Sequence, residues 1–214
     1  TNNKYAFFPS LGIAWRLSQE DFLKDNNFID DLKIRASIGE TGNQEISNYG
    51  YSENLGSTNV IFANQFYTAL YTSTFGNRDL KWETTTQLDG GIDLRILNGR
   101  IDMTFDYYHK ITDNLLLNTP IPSTSGLNSV LQNIGSIKNQ GFEIGLNSYN
   151  ISTKDFNWRS SIVFSKNQNE ILSLGKNNED IFPTKHAQGE MKILRVGEPI
   201  GSFWGLTRLG TWGT

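Results

Sequence analysis

Apolar and polar positions alternate with a period of two along most of this chain, and the longest such run lies between Leu80 and Lys110. On its first arm Leu80, Trp82, Leu88, Ile92, Leu94 and Ile96 alternate with Lys81, Glu83, Gln87, Asp89, Asp93 and Arg95. Successive side chains of a strand point to opposite faces, so one face is apolar and the other charged. Asn98-Gly99 follows, a pair suited to a type I′ turn because both central residues need positive φ. The return arm sets Ile101, Met103, Phe105 and Tyr107 against Asp102, Thr104, Asp106 and Tyr108. A two-residue turn pairs Ile96 with Ile101, which predicts Arg95 opposite Asp102 and Ile92 opposite Phe105. Both apolar sets then share one face.

The same alternation predicts strands over Tyr5–Leu17, Leu32–Thr41, Gln132–Ser148 and Phe156–Asn167, with Ile193–Gly205 strand in part. Ser18 is expected to cap a short helical turn, Gln19–Lys24. Connections at 97–100 and 149–155 are short, whereas 42–79, 112–131 and 168–190 are long. An up-and-down antiparallel meander would gather all the long loops at one end. The alternating arm from Leu80 is about 17 residues, against the usual 3–10 for a globular strand. Long strands with that loop asymmetry are what a large transmembrane β-barrel requires. Trp82 toward the long-loop end, with Trp15, Tyr149 and Trp158 toward the other, would form its two aromatic girdles. The fold class is therefore all-β, the alternative being a soluble or surface β-sandwich that binds glycans.

Composition narrows the function classes. The 214 residues carry a net charge of −3, which gives no basic footprint for nucleic acid. There is no Cys, and with only two His, His109 and His186, no metal centre is expected. Only 37% of residues are hydrophobic, which suits a sheet with one wet face better than a thick dry core. No run of 18 apolar residues exists to make a membrane helix, though barrel strands would not produce one. Residues 1–214 begin and end in mid-pattern, so the chain reads as one segment of a larger barrel.

Candidate chemistry is sparse. Asp89 with Asp93, and Asp102 with Asp106, have the look of paired carboxylates. A polar barrel lumen carries such charges without catalysis, with Arg95 and Lys81 at hand to neutralise them, so no enzyme activity and no cofactor are expected. Asp89, Asp93, Arg95, Asp102, Asp106, Glu143 and Arg159 are read as lumen-facing charges. In the long 42–79 connection Tyr49, Tyr51, Phe66, Tyr67 and Tyr71 are the candidates for contact with substrate or a lid, since rigid aromatic side chains bury area at little entropic cost.

Several stretches are more specific. They are Phe8-Pro9-Ser10 with Ala14-Trp15-Arg16-Leu17-Ser18, Leu32-Lys33-Ile34-Arg35-Ala36-Ser37 through Gly39-Glu40-Thr41-Gly42-Asn43-Gln44, and Asp79-Leu80-Lys81-Trp82-Glu83. Tyr108-His109-Lys110, Thr112-Asp113 and Leu115-Leu116 follow, then Asn133-Ile134-Gly135-Ser136-Ile137-Lys138-Asn139-Gln140-Gly141-Phe142-Glu143 and Val196-Gly197-Glu198-Pro199-Ile200-Gly201-Ser202-Phe203-Trp204-Gly205. In these the chain resembles the C-terminal barrel half of the SusC/RagA-like TonB-linked outer-membrane proteins of Bacteroidetes. Asn77-Arg78 departs from the family's usual Asn-Pro, which loosens one turn. The resemblance implies a plugged barrel of about 22 strands in the cell outer membrane. It implies import of oligosaccharides or peptides energised through TonB, with a SusD-like surface lipoprotein as lid and lipid around the wall. The plug, the TonB-contacting segment and the remaining strands would lie outside residues 1–214.

Overall fold

The computed structural model of the chain describes residues 5–46, 48–127, 129–175, 177–183, 185–186, 189–205 and 210. Six strands build one antiparallel sheet in the order β1-β2-β5-β6-β9-β10. They are β1 (Ser10–Arg16), β2 (Ile29–Asn43), β5 (Glu83–Ile96), β6 (Ile101–Asp113), β9 (Ser136–Ser152) and β10 (Asn157–Ser173). Each pairs with the sheet strand before it, and β1 and β10 form the two edges. Two-stranded ladders fill the connections: β3 (Asn54–Phe62) with β4 (Gln65–Thr74), and β7 (Leu116–Pro120) with β8 (Ser129–Asn133). After β10 come the short pairs β11 (Lys185–His186) with β12 (Gly189–Glu190), and β13 (Lys192–Ile193) with β14 (Ser202–Phe203).

The central hairpin has the expected register, with Arg95 opposite Asp102, Ile92 opposite Phe105, and Ile96 opposite Ile101. Asn98 and Gly99 both have positive φ, and Leu97 joins them at 59°. That left-handed run is pinned to the start of β2: Leu97 N–H donates to Phe28 O, and Gly99 N–H to Asp30 Oδ2. The first arm is shorter than its alternation suggested. β5 begins at Glu83, while Leu80 is 2% exposed in the connection before it. Pairing with β2 ends at Asn43–Glu83, so the residues before Glu83 have no ladder to join.

Across the sheet the register stacks apolar rows. Trp15, Ile34, Ile92, Phe105, Ile144 and Phe164 form one, and Leu32, Leu94, Met103, Leu146 and Ile162 the next. Among the described residues nothing packs over them: Ile92, Phe105 and Phe164 are 40%, 37% and 52% exposed. Leu94, Ile144 and Leu146 are half-buried rather than exposed. Leaving such a face open is unfavourable in water, and among the described residues no second sheet covers it as in a sandwich. Toward the long-loop end the same face turns polar at Glu40, Thr86, His109, Gln140 and Gln168, and Lys138 pairs with Glu170 at 2.6 Å.

Short connections gather at one end of this sheet and long ones at the other, as the alternation of loop lengths required. At the long-loop end Phe8 lies where a side chain on Gly42 would be and meets Trp82 edge-to-face at 5.6 Å. Trp15 and Trp158 are exposed on the apolar face near the short turns. Tyr149 does not join them: it lies on the polar face, under the Arg159 guanidinium at 4.6 Å. Ser18 is not the cap: it lies inside a 3-10 turn, Leu17–Gln19, and its hydroxyl donates to Asp31 Oδ1 at 2.8 Å, while Leu23 and Lys24 N–H donate to Glu20 O in a further turn. Among the described residues the deeply buried apolar side chains, Leu80, Ile171, Leu174 and Ile193, belong to the long-loop end.

Candidate functional site

The face opposite the apolar rows carries a lattice of charges on five strands, β2, β5, β6, β9 and β10. Lys33 Nζ on β2 lies 2.7 Å from Asp93 Oδ2 on β5, and Arg35 Nε lies 3.4 Å from the same oxygen. Arg35 Nη2 also reaches Asp106 Oδ1 on β6. Nearer the short turns, Arg95 Nε donates to Asp102 Oδ1 at 2.6 Å. Asp89 accepts from the Gln87 carboxamide and the Ser37 hydroxyl. Glu143 is exposed and sits directly across from Asp106. All seven charges singled out from the sequence thus fall on one face, and the carboxylates are largely spoken for by cations. Arg95 is one of those cations, but Lys81 is not; its backbone is held instead by Asn133. Lys33 and Arg35 were missed because their partners lie one and two strands away, beyond the reach of local alternation.

Glycines make this lattice possible. Gly91 stands between Arg35 and Asp106 in register, and a Cβ there would come within 2.6 Å of the Arg35 guanidinium carbon and 2.7 Å of Asp106 Oδ1. The ion pair therefore crosses β5 through a gap that only glycine leaves. Gly141 does the same on β9: the Tyr108 ring lies over it, and the Tyr108 hydroxyl donates to Asn167 Oδ1 on β10 at 2.9 Å. Replacing Gly91 by Leu should uncouple Arg35 from Asp106. Both partners are about one-third exposed, so a double-mutant cycle on R35M and D106N should read roughly 0.2–1 kcal/mol in the parent. It should read nothing in the Gly91→Leu background; an unchanged coupling would show that the pair does not need the gap.

The aromatic candidates of the 42–79 connection are dispersed rather than gathered. Most lie on the β3–β4 hairpin, whose Ala63-Asn64 turn has positive φ at both residues, as a type I′ turn requires. Tyr67 and Tyr71 share one face with Phe62, and Tyr71 lies over Gly56. Phe66, 80% exposed, is on the other face with Ile61 and Leu70. Tyr49 and Tyr51 belong to the turn before the hairpin, Tyr49 with φ of 62°.

The connection after β10 starts later than expected, since β10 continues to Ser173, and it carries a bracket that was not legible in the sequence. Arg195 makes a forked set of hydrogen bonds to Asp180, and its guanidinium lies 5.3 Å from the Trp204 ring, which meets Phe182 edge-to-face at 5.8 Å. His186 stands in β11. The hydrogen bonds from Arg195 hold the Asp180 carboxyl below its ordinary range. A carboxylate depressed in the folded state stabilises above its unfolded pKa, about 3.9, and loses that contribution as pH falls through the folded value. Proteolysis of residues 174–205 in the complete protein should therefore be unchanged between pH 7 and pH 5 and speed up only below about pH 4. Acceleration already at pH 5 would contradict the pairing.

Residues 1–187 match the family described as TonB dependent receptor-like, beta-barrel. TonB-dependent receptor P3 of Formosa agariphila is 42% identical over 99% of this chain and 21% of its own length. TonB-dependent receptor SusC of Bacteroides thetaiotaomicron is 38% identical over 95% of this chain and 21% of its own. The chain thus spans about a fifth of the curated relatives it matches. Among solved structures, that of the RagAB peptide importer in the 'closed-closed' state superposes with a TM-score of 0.84 at 32% identity, covering 95% of this chain and 22% of that one.

Proposed function

The chain belongs to the TonB-dependent receptor β-barrel family, and from that premise we propose that it is a stretch of barrel wall in an outer-membrane importer of oligosaccharides or peptides. The observation that supports this most directly is the two-faced single sheet. An uncovered apolar face backed by a charged one, with long loops gathered at one end, is how a barrel wall divides lipid from lumen. Asp89, Asp93, Arg95, Asp102, Asp106, Glu143 and Arg159 are then lumen charges. The aromatic β3–β4 hairpin, with Tyr67 and Tyr71 on one side and Phe66 on the other, offers surfaces to cargo and to a SusD-like surface lipoprotein. Members of the family are outer-membrane proteins, and their relatives' names point to nutrient uptake, not to enzymes. Transport would be energised through TonB, engaged by a segment outside these residues.

The test is uptake by cells carrying or lacking the complete protein, with defined oligosaccharides or peptides as sole nutrient. Uptake of one of those classes should disappear on deletion and on collapse of the proton-motive force. Uptake that survives an uncoupler would refute energisation through TonB, and uptake that survives deletion would refute the import reading itself.

A further inference from the structure

A cleft of about 800 Å³ opens at the long-loop end, between the β7–β8 hairpin and residues 174–175 and 177–182. That volume is in the range of small-molecule sites. One wall presents Thr119 and Gln132, the other Asn177, Glu179 and the Phe182 ring. The walls are built rather than incidental. Asn133, at the base, donates to the carbonyls of Lys81 and Asn114 and accepts from Lys81 N–H, which ties the hairpin to the connection before β5. The opposite wall is braced by the Asp180–Arg195–Trp204–Phe182 bracket, and Asn177 Nδ2 orients Glu179 by donating to its Oε1 at 3.1 Å.

From this lining we infer that the cleft is a cargo subsite for a neutral oligosaccharide segment, an inference that rests on the import reading above. Carboxamides both donate and accept, and a free carboxylate oxygen accepts, which matches sugar hydroxyls that do both. Phe182 supplies an apolar surface for the face of a pyranose ring. No Lys or Arg side chain lines the cleft among the described residues, since Arg195 is turned onto Asp180, so sulfated or acidic glycans meet a carboxylate with no compensating cation. An extended peptide would bind by adding a strand, and Pro120 removes a backbone donor from β7 at the cleft.

The complete purified protein is applied to an array of neutral oligosaccharides, sulfated oligosaccharides and a tryptic peptide pool. The tightest neutral hit is then titrated calorimetrically against the parent, F182A, F182Y and E179Q. Neutral glycans should bind in preference to both other classes. F182A should weaken binding roughly tenfold, as loss of one buried apolar contact does, with F182Y close to the parent. E179Q should weaken it by about fivefold or more. Preference for sulfated glycans or peptides would overturn the inference, as would absence of neutral-glycan binding or affinity unchanged in both F182A and E179Q. If F182A fails to fold, E179Q decides alone, because Glu179 is exposed and the change is isosteric. Deletion cells that still take up the glycan would refute the import reading instead, whatever the variants bind.

Discussion

Replacing Ile92 by arginine in the complete protein is expected to cost about 2–4 kcal/mol of barrel stability, the price of a cation at the bilayer midplane. Ile92 lies midway along the apolar rows, between Ile34 and Phe105, with its side chain uncovered. In water such a substitution would be nearly neutral, since it would exchange an exposed apolar group for an exposed charge. The cost thus arises only if hydrocarbon covers the face. Thr104→Arg is the matching control: Thr104 pairs with Asp93 on the opposite face, where an added cation meets carboxylates and water. Denaturant unfolding in phospholipid vesicles measures both. A loss at Ile92 within about 0.5 kcal/mol, the range of ordinary surface substitutions, would remove Ile92 from the lipid boundary.

Gly141→Ala is expected to destabilise by about 1–3 kcal/mol, as overpacking does. Gly141 is buried between β6 and β10, and an added Cβ would run into the backbone carbonyl of Lys166 and into the Tyr108 ring. The carbonyl belongs to a paired strand and cannot give way like a side-chain end. Shifting Tyr108 would also remove its hydrogen bond to Asn167. Gly90→Ala is the counterpart, because a Cβ there meets nothing within 4 Å. It should be neutral or stabilising by up to about 1 kcal/mol through a stiffer unfolded chain. Equal losses at the two positions, measured by the same unfolding assay, would show that Gly141 is not a packing gap. The Gln140-Gly141-Phe142 step of the sequence then has a physical meaning: a polar-face glycine between two outward side chains lets one strand's tyrosine reach past its neighbour.

The elements that could be read from sequence are those whose determinants are local. The β5–β6 register follows from Asn98-Gly99 and two matched alternations, and β2, β9 and β10 follow from alternation alone. The β3–β4 hairpin escaped notice because Ala63-Asn64 is not a usual turn pair and because aromatic residues occupy both of its faces, Phe66 beside Tyr67, which erases the period. Leu80 to Trp82 kept the period without being strand, since alternation persists wherever a segment packs one side. Ion pairs such as Arg35–Asp106 depend on a register set across the long connection 44–82, which no short window contains. The charges were visible as a face, but their partners were not.

Each sheet strand pairs with the sheet strand before it, and this has a consequence for the order of assembly. β5 with β6 and β9 with β10 can close from adjacent sequence, so they can form early as self-contained hairpins. Joining β2 to β5 must instead close residues 44–82, and joining β6 to β9 must close 114–135. The β3–β4 ladder draws Asn54 to Thr74 and roughly halves the first of these gaps, worth about 0.6 kcal/mol of closure entropy. The outer loops thus shorten the search for the wall while contributing nothing to the wall itself. Weakening the Ala63-Asn64 turn should slow the maturation of the barrel more than it lowers its final stability.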